Sequence, residues 1–250
     1  MITRNYFKVV RVFPDPSDYF YIKNEGYESG TLYVDCPDER TDIEFKIDNG
    51  SWTNFKQTYS GSPFVQLQPN SKVYFRGTAG YFKNVENEGL WFDSEVNTSI
   101  TISIGGDLRT LLNYTDVDSV TTIPENCFNN AFSSSNLISI DNLTLGPSVT
   151  TIGNHSLEMM FQGSQIQNGL NLSGVTTVGA MGLSQCYCSC HSLTTAYAPN
   201  VSTWEQSKTN AWLFDATSTG VIYKPANLTI PTGTSSGVPD GWTTQTYPNA

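Results

Sequence analysis

Apolar and polar positions alternate in several short runs over roughly the first hundred residues. The segments IEFKI (43–47), KVYFRG (72–77) and ITISI (100–104) each place apolar side chains at every second position. A period of two indicates strands with one buried face. Asp48-Asn49-Gly50 follows the first segment and predicts a hairpin turn, because Asn-Gly tolerates positive φ. We therefore predict an immunoglobulin-like β-sandwich over residues 1–106, with aromatic side chains between two sheets.

The end of this region carries a different pattern. Gly105-Gly106 is expected to break the last strand, since paired glycines commonly mark turns. Leu108, Leu111 and Leu112 then predict one short helical turn at a junction between two domains.

An internal repeat begins near residue 121. Aligning TTIPENCFNNAFSSSNLISIDNLTLGPSV (from 121) with TTIGNHSLEMMFQGSQIQNGLNLSGV (from 150) gives four apolar pairs at a spacing of 29. The pairs are Ile123 with Ile152, Phe132 with Phe161, Leu137 with Ile166, and Leu143 with Leu172. A third unit starts at residue 176 and places Val178 26 residues after Ile152. Repeats of this length indicate a solenoid, in which each copy buries its apolar face against its neighbours.

The repeat predicts specific internal contacts. We expect strands to begin near Leu137, Ile166 and Leu193. We also expect an internal row of stacked aromatic rings, formed by Phe132, Phe161 and Tyr187.

The solenoid is expected to span residues 107–223. A degraded fourth unit begins at Ser202, and its slots are filled by Trp204, Phe214 and Val221. The Pro- and Gly-rich tail, residues 224–250, predicts an irregular C-terminal cap with Trp242 packed against the last repeat. The sandwich would cap the other end, because an uncapped solenoid exposes its core and a strand edge.

Charge excludes one class of partner. The chain has a net charge of −10 and a pI of about 4.5, so it lacks the basic surface that nucleic-acid binding requires. Between Arg109 and Lys208 there is no Lys or Arg, and this stretch contains six acids. Its polar surface of Asn, Ser, Thr, Gln and Tyr suits neutral sugars or protein backbones. A merely soluble polar surface is the alternative.

The N-terminus does not resemble an export signal. Lys8, Arg11 and Asp15 lie where an apolar core of seven to fifteen residues would be needed. The apolar runs are also too short to span a bilayer. We expect a protein made in a cytoplasm and not inserted into a membrane, unless the sequence is a mature chain whose signal has been removed.

Four soft ligands lie close together in Cys186-x-Cys188-x-Cys190-His191. Structural zinc sites usually combine two separated ligand pairs, and no second group is evident. The repeat alignment instead places Cys186 at the position of Met160. We therefore expect no metal site and reduced, buried thiols that pack as small apolar side chains. Cys36 and Cys127 complete an odd total of five cysteines, which is not a disulfide framework.

No catalytic residue is predicted. His155 and His191 are the only histidines, and no known nucleophile or phosphate-binding motif occurs. Carboxylates near the first repeat, among which no pair is singled out for glycosidase chemistry, are Asp116, Asp118, Glu125 and Asp141. We expect no cofactor and no enzymatic activity. A polysaccharide hydrolase is the third alternative.

The repeat segments resemble a known family. AFSSSNLISI, LGPSVTTIGNHSLEMMFQGSQI and SCHSLTTAYAPNV are similar to the BspA-type leucine-rich repeats of gut Bacteroidales and their crAss-like phages. IEFKIDNGSWTNF, KVYFRG and TGVIYKPANLTIP resemble segments that accompany such repeats. Cys190 occupies the family's usual Cys slot, whereas Ser135 and Ser164 lie near it in the first two units. The resemblance implies a leucine-rich-repeat-like solenoid and an adhesin, surface-antigen or virion-associated role, without shared catalytic residues.

These observations favour a phage virion structural or decoration protein of the head or tail, made in the host cytoplasm. Its partners would be other virion proteins or further copies of itself, and a host surface glycan or protein. The sandwich would be the anchor and the repeats would face outward. A bacterial cell-surface adhesin of the same architecture is the alternative.

Overall fold

The computed structural model describes residues 18–35, 42–54, 63–80, 91–93, 100–133, 136–233 and 236–247. The sequence-based expectations for Lys8, Arg11, Asp15, Cys36 and Ser135 lie outside the described residues. The chain is mainly β, with 6% helix, and it contains a β-solenoid of about five turns.

The strands and helices are short. The strands are β1 (Tyr21–Asn24), β2 (Gly30–Asp35), β3 (Ile43–Ile47), β4 (Thr53–Asn54), β5 (Pro63–Leu67), β6 (Lys72–Gly77), β7 (Trp91–Asp93), β8 (Ile102–Asp107), β9 (Thr122–Ile123), β10 (Leu137–Thr144), β11 (Thr151–Ile152), β12 (Thr177–Val178), β13 (Thr195–Tyr197), β14 (Gly220–Lys224) and β15 (Trp242–Thr246). The helices are α1 (Thr110–Asn113) and α2 (Gln206–Thr209), with a 3-10 turn at Val117–Ser119. No helix in the described part of the chain is long and apolar enough to cross a membrane.

Two sheets occupy the N-terminal region. One has six strands in the order β10-β8-β1-β6-β3-β4, and the other has three in the order β5-β2-β7. The strands predicted from the alternating segments are confirmed as β3, β6 and β8. The hairpin after β3 is also confirmed, with the Gly50 N–H donating to the Ile47 carbonyl at 2.8 Å and Asp48 at a φ of 46°.

Alternation gives the large sheet one apolar face. Phe20, Ile22 and Phe75 are fully buried on it, and Leu32 and Leu67 of the small sheet join the same apolar cluster. The structure therefore shows two sheets that share a core. The immunoglobulin-like sandwich stays a prediction.

The prediction that Gly105-Gly106 breaks the strand is wrong. Both glycines lie inside β8, where Gly105 is opposite Tyr21. A Cβ on Gly105 would lie 2.6 Å from Cζ of Tyr21, and Gly106 has a φ of 85°. Here the glycines allow close approach within a strand rather than ending it. The domain boundary expected after residue 106 consequently falls within β8.

The first long solenoid strand completes the N-terminal sheet, because β10 pairs in parallel with β8. The predicted helical turn is confirmed as α1, with Leu111 and Leu112 buried. Beside it, the side chain of Arg109 is only 3% exposed, and its Nη2 lies 2.6 Å from Asp107 Oδ2. Burial lowers the pKa of Arg109, but hydrogen bonds and charge from Asp107 and Asp118 raise it above its ordinary value. The junction thus contains a permanently charged, fully bonded guanidinium.

The repeat alignment is confirmed in the first three units. Strands β9, β11 and β12 form a parallel sheet in which Ile152 is opposite both Ile123 and Val178. The predicted aromatic row is confirmed as well. The rings of Phe132 and Phe161 are 6.4 Å apart, and those of Phe161 and Tyr187 are 5.7 Å apart.

The coils are joined through a ladder of turns rather than long strands. Left-handed backbone recurs at every fourth residue in this ladder, at Asn126 and Asn130, at His155, Met159 and Gly163, at Met181, Gln185 and Ser189, and at Ala211 and Asp215. In the first three coils each such N–H donates to a carbonyl of the next coil, as Met159 does to Ser184 at 2.9 Å. The ladder satisfies buried backbone groups where no regular strand exists.

The fourth unit departs from the alignment. Phe214, expected in the slot after Tyr187, is 54% exposed, so that prediction is wrong. The Tyr187 N–H donates to the carbonyl of Trp212, which places buried Leu213 in the equivalent backbone position. The Trp212 ring packs edge-on against Tyr187 at 6.1 Å. The ladder therefore runs one residue out of phase with the sequence alignment.

A second parallel sheet, β13-β14-β15, lies on another side of the solenoid. The strand expected near Leu193 is β13, and the one near Leu137 is β10, but the region after Ile166 contributes only a bridge from Asn168 to Thr195.

The C-terminal tail is less irregular than expected, since it supplies β15. Trp242 is buried there as predicted, and its Nε1 donates to the Thr217 carbonyl at 2.7 Å.

Candidate functional site

Aromatic rings and cations gather on the outward face of the six-stranded sheet. They alternate along the strands with the buried core residues, so the strand period itself places them together. We call this surface the aromatic–cation face, and it comprises Tyr19, Tyr21, Lys46, Trp52, Lys72, Tyr74, Arg76 and Tyr114.

Arg76 is the most tightly held cation of this face. Its guanidinium carbon lies 4.2 Å from the ring centroids of both Trp52 and Tyr114. Its Nε also donates to Glu44 Oε2 at 2.7 Å. Burial lowers the pKa of Arg76, but hydrogen bonds from Glu44 and Tyr19 outweigh it and hold the pKa above its ordinary value. Two rings and one carboxylate thus fix the orientation of a permanent charge.

The other half of the face repeats this arrangement with lysines. Tyr21 and Tyr74 are opposite each other in neighbouring strands, with ring centroids 5.9 Å apart. Lys72 Nζ lies 3.9 Å from the Tyr21 centroid, and Lys46 Nζ lies 5.0 Å from that of Tyr74. Burial, followed by the charge of Asp48, raises the pKa of Tyr74, so its phenol keeps its proton at neutral pH.

Such a face is suited to binding another macromolecule. Trp, Tyr and Arg are the side chains that most often dominate protein interfaces. Rings and cations that already hold one another lose little conformational freedom on binding, which lowers the cost of association. Trp52, Tyr74 and Tyr114 retain intermediate exposure and are therefore accessible to a partner.

The cysteine cluster is packed into the solenoid. Cys186 and Cys190 are fully buried, whereas His191 is 70% exposed and its Nε2 lies 3.2 Å from Asp215 Oδ2. Cys186 takes the position of Met160 as predicted, since it is the residue whose carbonyl accepts from Phe161 N–H. No group of three potential metal ligands occurs among the residues that the structure describes.

The thiols are poor nucleophiles in this environment. Burial raises the pKa of Cys186 well above its usual range and that of Cys190 to about 11. The Cys190 thiol donates to the Phe161 carbonyl at 3.1 Å and lies 3.4 Å from Ser164 Oγ. Protonated and bonded in this way, these side chains pack as small apolar groups.

His155 hydrogen-bonds a carboxylate. Its Nδ1 lies 2.7 Å from Glu158 Oε2, which also accepts from Asn129 Nδ2 at 3.1 Å. The neighbouring Ser156 hydroxyl is fully buried, so a substrate cannot reach it. The arrangement joins two coils of the ladder and lacks an accessible nucleophile.

The four candidate carboxylates are dispersed. Asp118 binds Arg109 at 3.2 Å, and Asp141 accepts a hydrogen bond from Asn168 at 2.9 Å. Asp116 and Glu125 are exposed.

No family model matches the chain, and comparisons with curated proteins and with solved structures also give no match. The function is therefore argued from the geometry. Sequence reasoning did not identify the aromatic–cation face, although KVYFRG places Lys72, Tyr74 and Arg76 at every second position. That alternation was used only to predict the buried side of the strand.

Proposed function

We propose that this chain is a non-catalytic attachment protein that docks through its aromatic–cation face. The observation that carries the proposal is Arg76, held between Trp52 and Tyr114 and oriented by Glu44. A preorganised guanidinium flanked by two rings has the composition of an interface hot spot. The solenoid would then project away from the docked surface and present its polar coils.

The charge distribution supports a partner with an acidic surface. The face carries the cations Lys46, Lys72 and Arg76, although the chain as a whole has a net charge of −10. The region between Arg109 and Lys208 has no base with which to attract such a partner. Docking through the face should therefore be salt-sensitive, because charge pairs at an interface rim are screened by ions.

At a finer level, we propose that the particle is a phage virion and that the chain is a head- or tail-associated structural protein. The resemblance of the coils to BspA-type leucine-rich repeats supports this assignment, together with an N-terminus unlike an export signal. The proposal includes an immunoglobulin-like sandwich as the anchor and a leucine-rich-repeat-like solenoid as the outward part. A bacterial adhesin with the same two parts is the competing function, and a polysaccharide hydrolase is the third.

Location distinguishes these functions. Phage particles from a lysed host culture would be purified on a density gradient, and their proteins compared by quantitative mass spectrometry with those of the host's cell envelope. We expect the chain to co-purify with particles at a fixed ratio to the major capsid protein. Recovery only in the envelope of uninfected cells would replace the virion assignment with the adhesin. Release of sugar from host polysaccharide by the purified chain would contradict a non-catalytic role.

A further inference from the structure

A cavity of about 140 Å³ opens on the solenoid beside β12 and α2. Its lining includes the side chains of Thr177, Ser202, Thr203, Trp204, Glu205 and Lys208. An aromatic ring, several hydroxyl groups and one pair of opposite charges therefore meet in a single concave site. No residue of the aromatic–cation face lines this cavity.

Trp204 is fixed in position at this cavity. Its Nε1 donates to the Ser236 carbonyl at 2.6 Å, and its ring packs edge-on against Trp212 with centroids 5.0 Å apart. The ring remains half-buried and lines the cavity, so it offers an apolar surface whose orientation does not have to be set on binding.

The charged residues of the cavity compensate each other. Lys208 Nζ lies 2.8 Å from Glu205 Oε1, and both side chains are partly exposed at the cavity. The pair supplies strong hydrogen-bond donors and acceptors without a net charge, which disfavours an ionic ligand relative to a neutral one.

We infer that this cavity binds one ring of a neutral sugar. A cavity of about 150 Å³ accommodates a six-membered ring such as benzene, so the measured volume suits a single pyranose with its outer hydroxyls at the mouth. The C–H face of the sugar would lie on Trp204. Its hydroxyl groups would exchange hydrogen bonds with Thr177, Ser202 and the pair formed by Glu205 and Lys208.

The affinity should be modest. A ligand of about a dozen heavy atoms with ordinary efficiency binds with a Kd on the order of a millimolar. Saturation-transfer NMR with methyl glycosides of glucose, galactose and mannose detects binding in this range.

Paired threonine variants test the site. Thr177→Val removes one lining hydroxyl at nearly constant shape, and Thr151→Val makes the same change at the residue opposite Thr177 in β11, which does not line the cavity. We expect Thr177→Val to weaken binding of the best glycoside about fivefold, as for one lost hydrogen bond. Thr151→Val should bind like the unmodified chain, and Trp204→Ala should abolish binding.

Three results would overturn the inference. One is the absence of binding by every neutral glycoside at about 50 mM, well above the expected Kd. The second is equal affinity of the two threonine variants, and the third is binding of a glucuronide but of no neutral sugar. None of these outcomes bears on the docking face, so the two proposals fail separately.

Discussion

The rings of Phe161 and Tyr187 stack at 5.7 Å with their planes 9° from parallel, although they belong to different coils of the solenoid. The backbone fixes the pair, because the Phe161 N–H donates to the carbonyl of Cys186, the residue before Tyr187. A phenol is tolerated in this fully buried row since its oxygen accepts a hydrogen bond from the Leu170 N–H at 2.9 Å. Stacking of this kind is the main link between the cores of successive coils.

Truncating a ring in the row should destabilise the whole solenoid. We expect Phe161→Ala to lower the free energy of unfolding by about 3 to 5 kcal/mol, the usual cost of removing a large buried aromatic side chain. Denaturant unfolding followed by circular dichroism measures this loss. Phe214→Ala is the matched control, since Phe214 is 54% exposed and its truncation should change stability by less than about 1 kcal/mol. Equal losses in the two variants would show that the aromatic row is not the core.

Two glycines with the same backbone separate strain from overlap. Gly146 and Gly163 have φ values of 71° and 72°, but a Cβ on Gly146 would overlap the guanidinium of Arg109, whereas one on Gly163 would meet nothing within 4 Å. Gly163→Ala should cost about 1 to 2 kcal/mol, from left-handed strain alone. Gly146→Ala should cost roughly 3 kcal/mol or more, because the methyl group displaces a buried ion pair. Thermal unfolding of both variants measures the difference, and similar melting temperatures would contradict the buried role of Arg109.

The sequence predicted contacts within a repeat better than contacts between regions. Ile123, Ile152 and Val178 were aligned correctly because each coil repeats the same apolar slot. Phe214 was misplaced because the ladder shifts by one residue in the degraded fourth coil, where no apolar periodicity records the shift.

Features that depend on strand register were not predictable from one sequence. Gly105 gives the same signal whether it ends a strand or allows Tyr21 to approach a strand that continues. The aromatic–cation face depends on the pairing of β1, β3 and β6, so Trp52 and Tyr114 could not be placed beside Arg76 before that pairing was known.

The buried thiol of Cys190 predicts a loss of stability in alkali. An unfolded cysteine titrates at about pH 9, whereas Cys190 in the folded chain keeps its proton up to about pH 11. The folded state therefore binds more protons between these values, and the free energy of unfolding should fall as the pH rises through that window. The pKa of Cys186 is raised in the same direction. Unfolding titrations at several pH values measure the slope, and Cys190→Ala should make it shallower. A slope unchanged by that variant would contradict the assignment.

The cysteine cluster should not hold zinc. Cys186 and Cys190 are directed into the core, while His191 is exposed and lies next to Asp215. Elemental analysis of the native protein should return well under one zinc per chain. Stoichiometric zinc, removed by a chelator together with stability, would overturn this prediction.

The docking proposal requires point variants of the full chain, since β10 completes the sheet that carries the aromatic–cation face and separated halves would each lose a paired strand. Arg76→Gln and Lys208→Gln form a matched pair. Each replaces a cation that contacts a glutamate, at 2.7 Å in the face and at 2.8 Å on the solenoid.

The most direct measurement is co-sedimentation of these two variants and the unmodified chain with purified particles that lack the protein, at low and high salt. We predict that Arg76→Gln weakens association roughly thirtyfold, as loss of a hot-spot side chain does, and that Lys208→Gln binds like the unmodified chain. Added salt should weaken the unmodified chain more than Arg76→Gln. Undiminished binding by Arg76→Gln together with loss of binding by Lys208→Gln would contradict the account and make the solenoid the docking surface.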